Sequence, residues 1–113
     1  MSLTWKSPDD GRCANGSCVA AAVTFDGRIN VADAHGGVIE LRPDAWNAIL
    51  SAVRTGEYHR CPSIQRDLEG VRWLGVRPGS ALDLVVLRYT ADEWAAFTAA
   101  VRRGRFTIDD LAA

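Results

Sequence analysis

The chain is poor in several things that would narrow its function at once. Of 113 residues only three are cysteine, and of 13 basic residues only Lys6 is a lysine. An odd, sparse cysteine set with no export signal argues against a disulfide framework. The formal charge is -1, so no field of one sign steers the whole surface toward nucleic acid or an anionic membrane. No apolar run approaches the roughly 20 residues needed to span a bilayer, and the start Met1-Ser2-Leu3-Thr4-Trp5-Lys6 lacks the apolar core of a secretory signal. The expected address is the cytoplasm, without a membrane. Also missing are the G-x-S-x-G, P-loop and H-E-x-x-H patterns, and the two histidines, His35 and His59, are a thin stock of general bases. Enzyme activity is therefore not expected.

What is present is an ordinary globular balance, 48% apolar and 24% charged, in a length that suits one domain spanning 1–113. An internal repeat organises it. At an offset of 48 residues, eight of the 21 positions from 38 to 58 are identical to their counterparts, among them Val38/Val86, Trp46/Trp94, Arg54/Arg102 and Gly56/Gly104. Each copy reads as strand, turn, helix, stop. Pro43 suits the first turn of one helix, and Trp46, Ile49, Leu50 and Val53 form one apolar stripe. Thr90-Ala91-Asp92-Glu93 is a capping box for the other, with Trp94, Phe97 and Val101 as its stripe. Gly56 and Gly104 sit where a left-handed residue ends a helix.

Cys18 to Thr24, the Asp26-Gly27 two-residue hairpin signal and Arg28 to Ala32 predict the start of a β-meander, turned by His35-Gly36-Gly37 into Val38. Gly70–Val76 and Leu82–Tyr89 predict two further strands around the turn Arg77-Pro78-Gly79-Ser80. The expected fold is α+β: antiparallel meander strands with two helices, as duplicated ββα-type units around a pseudo-twofold axis. The first copy spans 5–58, a shortened second copy spans 71–106, and a linker covers about 59–70.

Several residues are candidates for function. Cys13, Cys18, His59 and Cys61 contain the donors of a Cys3His zinc site, but the spacing C-x4-C followed by H-x-C is unlike the usual knuckle, and no metal or cofactor is expected. His59 and Cys61 also form the one thiol–imidazole pair worth weighing as a reactive thiol. Arg54, Arg102, Arg103 and Arg105 lie near equivalent helix ends, where they complement the helix dipoles and offer planar donors to acidic groups of a partner. Trp46 and Trp94 are expected as core anchors. Arg60, Arg66, Arg72 and Arg77 gather around Trp73 in a pattern open to single-strand stacking, though Asp67 and Glu69 interrupt it, and direct nucleic-acid binding ranks below partner binding.

In Trp5-Lys6-Ser7, Cys18-Val19, the Asp26-Gly27 hairpin, Val38-Ile39-Glu40-Leu41 with Pro43 and Trp46, and Val53-Arg54-Thr55-Gly56-Glu57-Tyr58, the chain resembles the BldB-like, actinobacterial domain of unknown function 397 family. The resemblance covers 5–58 as one full copy. Residues 71–106 resemble a second copy that lacks the Trp-Lys-Ser start and at least one strand. It implies a regulatory interaction module, partnered with a helix-turn-helix regulator of the Xre type in developmental or antibiotic control. It also implies that a fused pair is similar to a dimer made covalent, and leaves open whether that pair dimerises further. It carries over no catalytic residue.

Overall fold

The computed structural model describes residues 3–8, 19–80 and 82–113. The first half of the chain supplies β1 (Ala20–Val23), β2 (Ile29–Ala32), β3 (Val38–Leu41) and α1 (Pro43–Thr55). The second half supplies β4 (Ile64–Asp67), β5 (Gly70–Val76), β6 (Leu84–Tyr89) and α2 (Ala91–Arg102), then a short α3 (Ile108–Ala112). The fold is α+β, an antiparallel six-stranded sheet with two main helices. Each helix follows three strands; the sequence places three before α1 but only two before α2, so the ββα label becomes βββα. The second unit lacks no strand relative to β1–β3: β4 lies within the stretch predicted as a linker, preceded by a single 3-10 turn at Tyr58–Arg60. Its burial explains the miss. Only Ile64 of its four residues is buried, so β4 has no alternation to read.

The remaining strands lie close to their expected spans. β1 and β2 are joined through Phe25-Asp26-Gly27, a three-residue loop closed by the Thr24 N–H donating to the Arg28 carbonyl at 2.7 Å. Gly27, at φ 86°, takes the left-handed position that such a loop requires, in place of the two-residue turn read from Asp26-Gly27. Lys6 extends this end of the sheet through paired bonds with Ala21. β2 and β3 pair over all four residues, from Ile29 opposite Leu41 to Ala32 opposite Val38.

The halves join at one backbone bridge, Glu40 opposite Val76. The Glu40 carboxylate also accepts from the Gly79 N–H at 3.2 Å, fixing the β5–β6 turn against β3. Beside the bridge, Gly75 is a glycine because a β-carbon there would lie 2.8 Å from Ile39. That close approach lets β3 pack against β5. Asp33 makes a third tie: its carboxylate accepts from His35 and Gly37 within its own turn, and from the Arg88 N–H across the fold at 2.9 Å.

Both helices form for the local reasons visible in sequence. α1 begins at Pro43 and ends at Gly56, φ 80°, whose N–H returns to the Ala52 carbonyl. α2 begins with the Thr90–Glu93 capping box, both reciprocal bonds present. Their buried stripes meet one core, in which Trp46 stacks on Trp73 at 6.3 Å and Trp94 meets Phe97 at 5.1 Å. Trp46 and Trp94 are both buried. Their indoles exchange bonds between the halves. Trp46 Nε1 donates to the Phe106 carbonyl at 2.8 Å, and Trp94 Nε1 donates to the Tyr58 hydroxyl at 2.9 Å. Tyr58 and Phe106 are themselves 48 positions apart, so each helix-leading Trp bonds the exit residue of the other helix.

Candidate functional site: a cationic groove along the second helix

Among the described residues one face of α2 borders a groove. Ala91, Ala95, Thr98, Ala99 and Arg102 recur at helical spacing and line a groove of about 430 Å³, with Trp94 in its floor. The opposite wall comes from the end of α1, at Val53 and Gly56, from Tyr58, and from Arg66 and Val71 on β4 and β5. The small side chains on α2 make the groove and the bulky ones beneath make its floor. From Ala91 to Arg102 a helix rises about 16 Å at about 1.5 Å per residue, so the groove is elongated.

Its chemistry is apolar with cations at the rim. The Arg66 guanidinium lies over the Tyr58 ring, 3.9 Å from the centroid, a cation–π contact. Among the described residues neither Arg66 nor Arg102 is held by an ion pair. The Tyr58 hydroxyl accepts from Trp94, so its own proton remains to be donated. The one carboxylate in the lining, Asp67, is already occupied. It accepts from the amides of Glu69 and Gly70 and from Arg72 at 3.0 Å. The Glu69 amide leads in holding its carboxyl below the usual range, with Gly70 and Arg72 adding to it against a partial desolvation. The free charge facing the groove is therefore positive, beside an aromatic and aliphatic floor.

The residues singled out in sequence fall in different places. Of Arg54, Arg102, Arg103 and Arg105, only Arg102 lines the groove. Arg54 and Arg103 are exposed. Arg105 is half-buried, its guanidinium 5.8 Å from the Phe106 ring centre, and its backbone N–H closes the end of α2 on Ala100. The zinc set is not assembled among the described residues: Cys13 and Cys18 lie outside them, His59 is exposed, and the Cys61 thiol is turned into α1, 3.9 Å from the Ala48 carbonyl. Desolvation pushes the Cys61 thiol up, away from the thiolate a nucleophile or ligand needs.

The Arg60–Arg77 patch also dissolves as a stacking platform. Trp73 is fully buried, Arg60 is 3.3 Å from Glu57, and Arg72 is bound to Asp67. Arg66 belongs to the groove instead. Sequence reasoning did not join Arg66 and Tyr58 to Arg102. The available signal was that position 58 carries a hydroxyl where its repeat counterpart, Phe106, has none.

Fold and groove together describe a small α+β domain with an elongated cationic cleft and, among the described residues, no helix long and apolar enough to cross a membrane. Comparisons with family models, with curated proteins and with solved structures find no match to this chain.

Proposed function

We propose that the protein is a non-enzymatic regulatory module of the cytoplasm, similar to the BldB-like domain of unknown function 397 family, that binds a helix-turn-helix regulator of the Xre type. In this reading its two βββα units descend from a duplication about an approximate twofold axis. The groove along α2 receives an amphipathic segment of the regulator, with apolar side chains over Trp94 and Val71 and acidic ones toward Arg66 and Arg102. The observation that supports this is the pairing of two guanidiniums, outside any ion pair among the described residues, with an apolar floor in one elongated cleft. Carboxylates bound there gain charge-assisted, planar contacts that Arg offers better than Lys.

The test is affinity purification of the full chain from an actinobacterial host with its native locus, followed by titration of the recovered regulator. Arg102→Glu and Arg66→Glu are each expected to weaken binding about tenfold or more, since a hydrogen bond to a charged group contributes about 1.5–3 kcal/mol. Arg54→Glu, outside the groove, is expected to leave affinity within about twofold, as exposed charges contribute little. Equal loss from all three, or no regulator recovered, defeats the reading.

A further inference from the structure

Among the described residues β6 has a strand on one side only, and the hydrogen bonds around it show which backbone groups its other edge presents. The Arg88 N–H donates away from β5, to Asp33, and the Leu74 N–H donates away from β6, to the Ser63 carbonyl at 2.9 Å. Arg72/Arg88, Leu74/Val86 and Val76/Leu84 are cross-strand pairs two residues apart, so all three are of the kind whose N–H and C=O groups point outward. Asp33 covers Arg88. Among the described residues nothing pairs Leu84 or Val86 on that edge. Their side chains share the outer face with Leu74, at 69%, 42% and 43% exposure respectively. Edge strands are ordinarily blunted by Lys, Pro or a bulge, and Leu84-Val85-Val86-Leu87 carries no Lys or Pro.

We infer that a second copy of this chain adds at this edge, β6 against β6, antiparallel, with the twofold axis through Val85. The register follows from the open groups themselves. Leu84 and Val86 flank Val85 symmetrically, so setting Leu84 opposite Val86 of the second copy gives each N–H and C=O of Leu84 and Val86 on both strands a partner. Sliding one way sets Leu84 opposite itself and sends Val86 to Leu82, beyond the strand. Sliding the other way sets Val86 opposite itself and sends Leu84 to Arg88, whose N–H Asp33 already holds. Odd shifts are excluded because they place apolar side chains on opposite faces. In the surviving register the Leu74–Val86 row continues across the seam into Leu84 and Val76 of the second copy, extending one apolar surface. This interface lies on the strand edge, apart from the groove along α2, and stands whether or not that groove binds a regulator.

Sedimentation of the full chain tests it. The expected mass is twice the 12.3 kDa of one chain. Val86→Pro removes an outward donor without touching the β5–β6 bonds, and proline is tolerated at such an edge position. Leu84→Lys places a charge in the seam. Both are expected to sediment as monomers with unchanged circular dichroism, and to lose the dependence of melting temperature on protein concentration that a dimer confers. Val85→Cys is expected to link two chains under mild oxidation, against the unsubstituted chain as control. Residues facing one another in this kind of pair have α-carbons about 4.5 Å apart, within disulfide range. Asp83→Cys, whose counterpart is Leu87, is expected not to link. A monomer at every soluble concentration overturns the inference. So does a dimer that survives both edge variants, or one in which Asp83→Cys links and Val85→Cys does not.

Discussion

After α1 the chain continues Gly56-Glu57-Tyr58, and after α2 it continues Gly104-Arg105-Phe106, with both glycines left-handed at φ 80° and 85°. From there the exits diverge. Gly56 makes the single bond to Ala52 and leads into a 3-10 turn, leaving Tyr58 half-buried on the groove. At the second exit, Gly104 bonds Val101 and Arg105 bonds Ala100, the paired closure of a Schellman motif. Phe106 then enters the left-handed region itself, at φ 68°, fully buried. For an aromatic residue that conformation is strained, and three contacts hold it: Asp110 accepts its N–H at 2.9 Å, Trp46 donates to its carbonyl, and Phe97 meets its ring at 5.1 Å. The payoff is direction. The turned chain starts α3 at once, with Leu111 buried and α3 lying on β1 of the first half. A shared sequence fixes where each helix stops, and the partners waiting beyond the stop decide where the chain goes.

Substitutions at these two exits separate their roles. Trp46→Ala is expected to cost about 3–5 kcal/mol in urea unfolding, the range for deleting a buried aromatic, with Trp94→Ala at the low end because its cavity opens on the groove. Asp110→Ala leaves the Phe106 N–H unpaired in a strained turn and is expected to cost about 1–3 kcal/mol. Amide exchange over 108–112 should accelerate with it, while exchange over 58–60 stays unchanged. Gly56→Ala and Gly104→Ala each force a β-carbon into the left-handed region without a steric neighbour, so the two are expected to lose the same amount, about 1 kcal/mol each. Unequal losses would show that the Schellman closure adds strain of its own. Tyr58→Phe is expected to cost less than Asp110→Ala, about 1 kcal/mol, because water in the groove reaches the freed Trp94 N–H.

A last test concerns Tyr89, whose hydroxyl donates to the Ala32 carbonyl at 2.8 Å and so ties the second unit to the first. Burial, then Asp33 and Glu93, push its phenol far above the ordinary tyrosine value. The unfolded chain releases that proton near pH 10 while the folded chain holds it. Its contribution is therefore intact below about pH 10 and is lost as pH rises beyond it. Tyr89→Phe is expected to flatten that alkaline limb of the stability curve, measured by denaturant midpoints across pH 8 to 12.

Local order was legible where the cause was local. The apolar stripes, Pro43, the Thr90–Glu93 box and the two glycines placed both helices within a residue or two. β3, β5 and β6 were readable from alternation or a continuous apolar run. β4 was not, since Ile64 alone of its residues reaches the core, and α3 is too short to show a periodicity. Of the groove, Arg102 was within reach of the repeat argument. Its partnership with Arg66 and Tyr58 was not, because it joins a helix end, a strand and a turn that only packing brings together.

The sequence by itself determined the α+β class, the succession of strands and helices, the helix limits and the burial of Trp46 and Trp94, all consequences of side-chain period and backbone chemistry within a few residues. Tertiary structure decided that β3 meets β5 at Gly75, that Trp46 and Trp94 each bond the opposite exit, and that Arg66 and Arg102 face one cleft. These are pairings between residues far apart in the chain, set by close packing at Gly75 and by the partners that the buried indoles of Trp46 and Trp94 find once the core has closed.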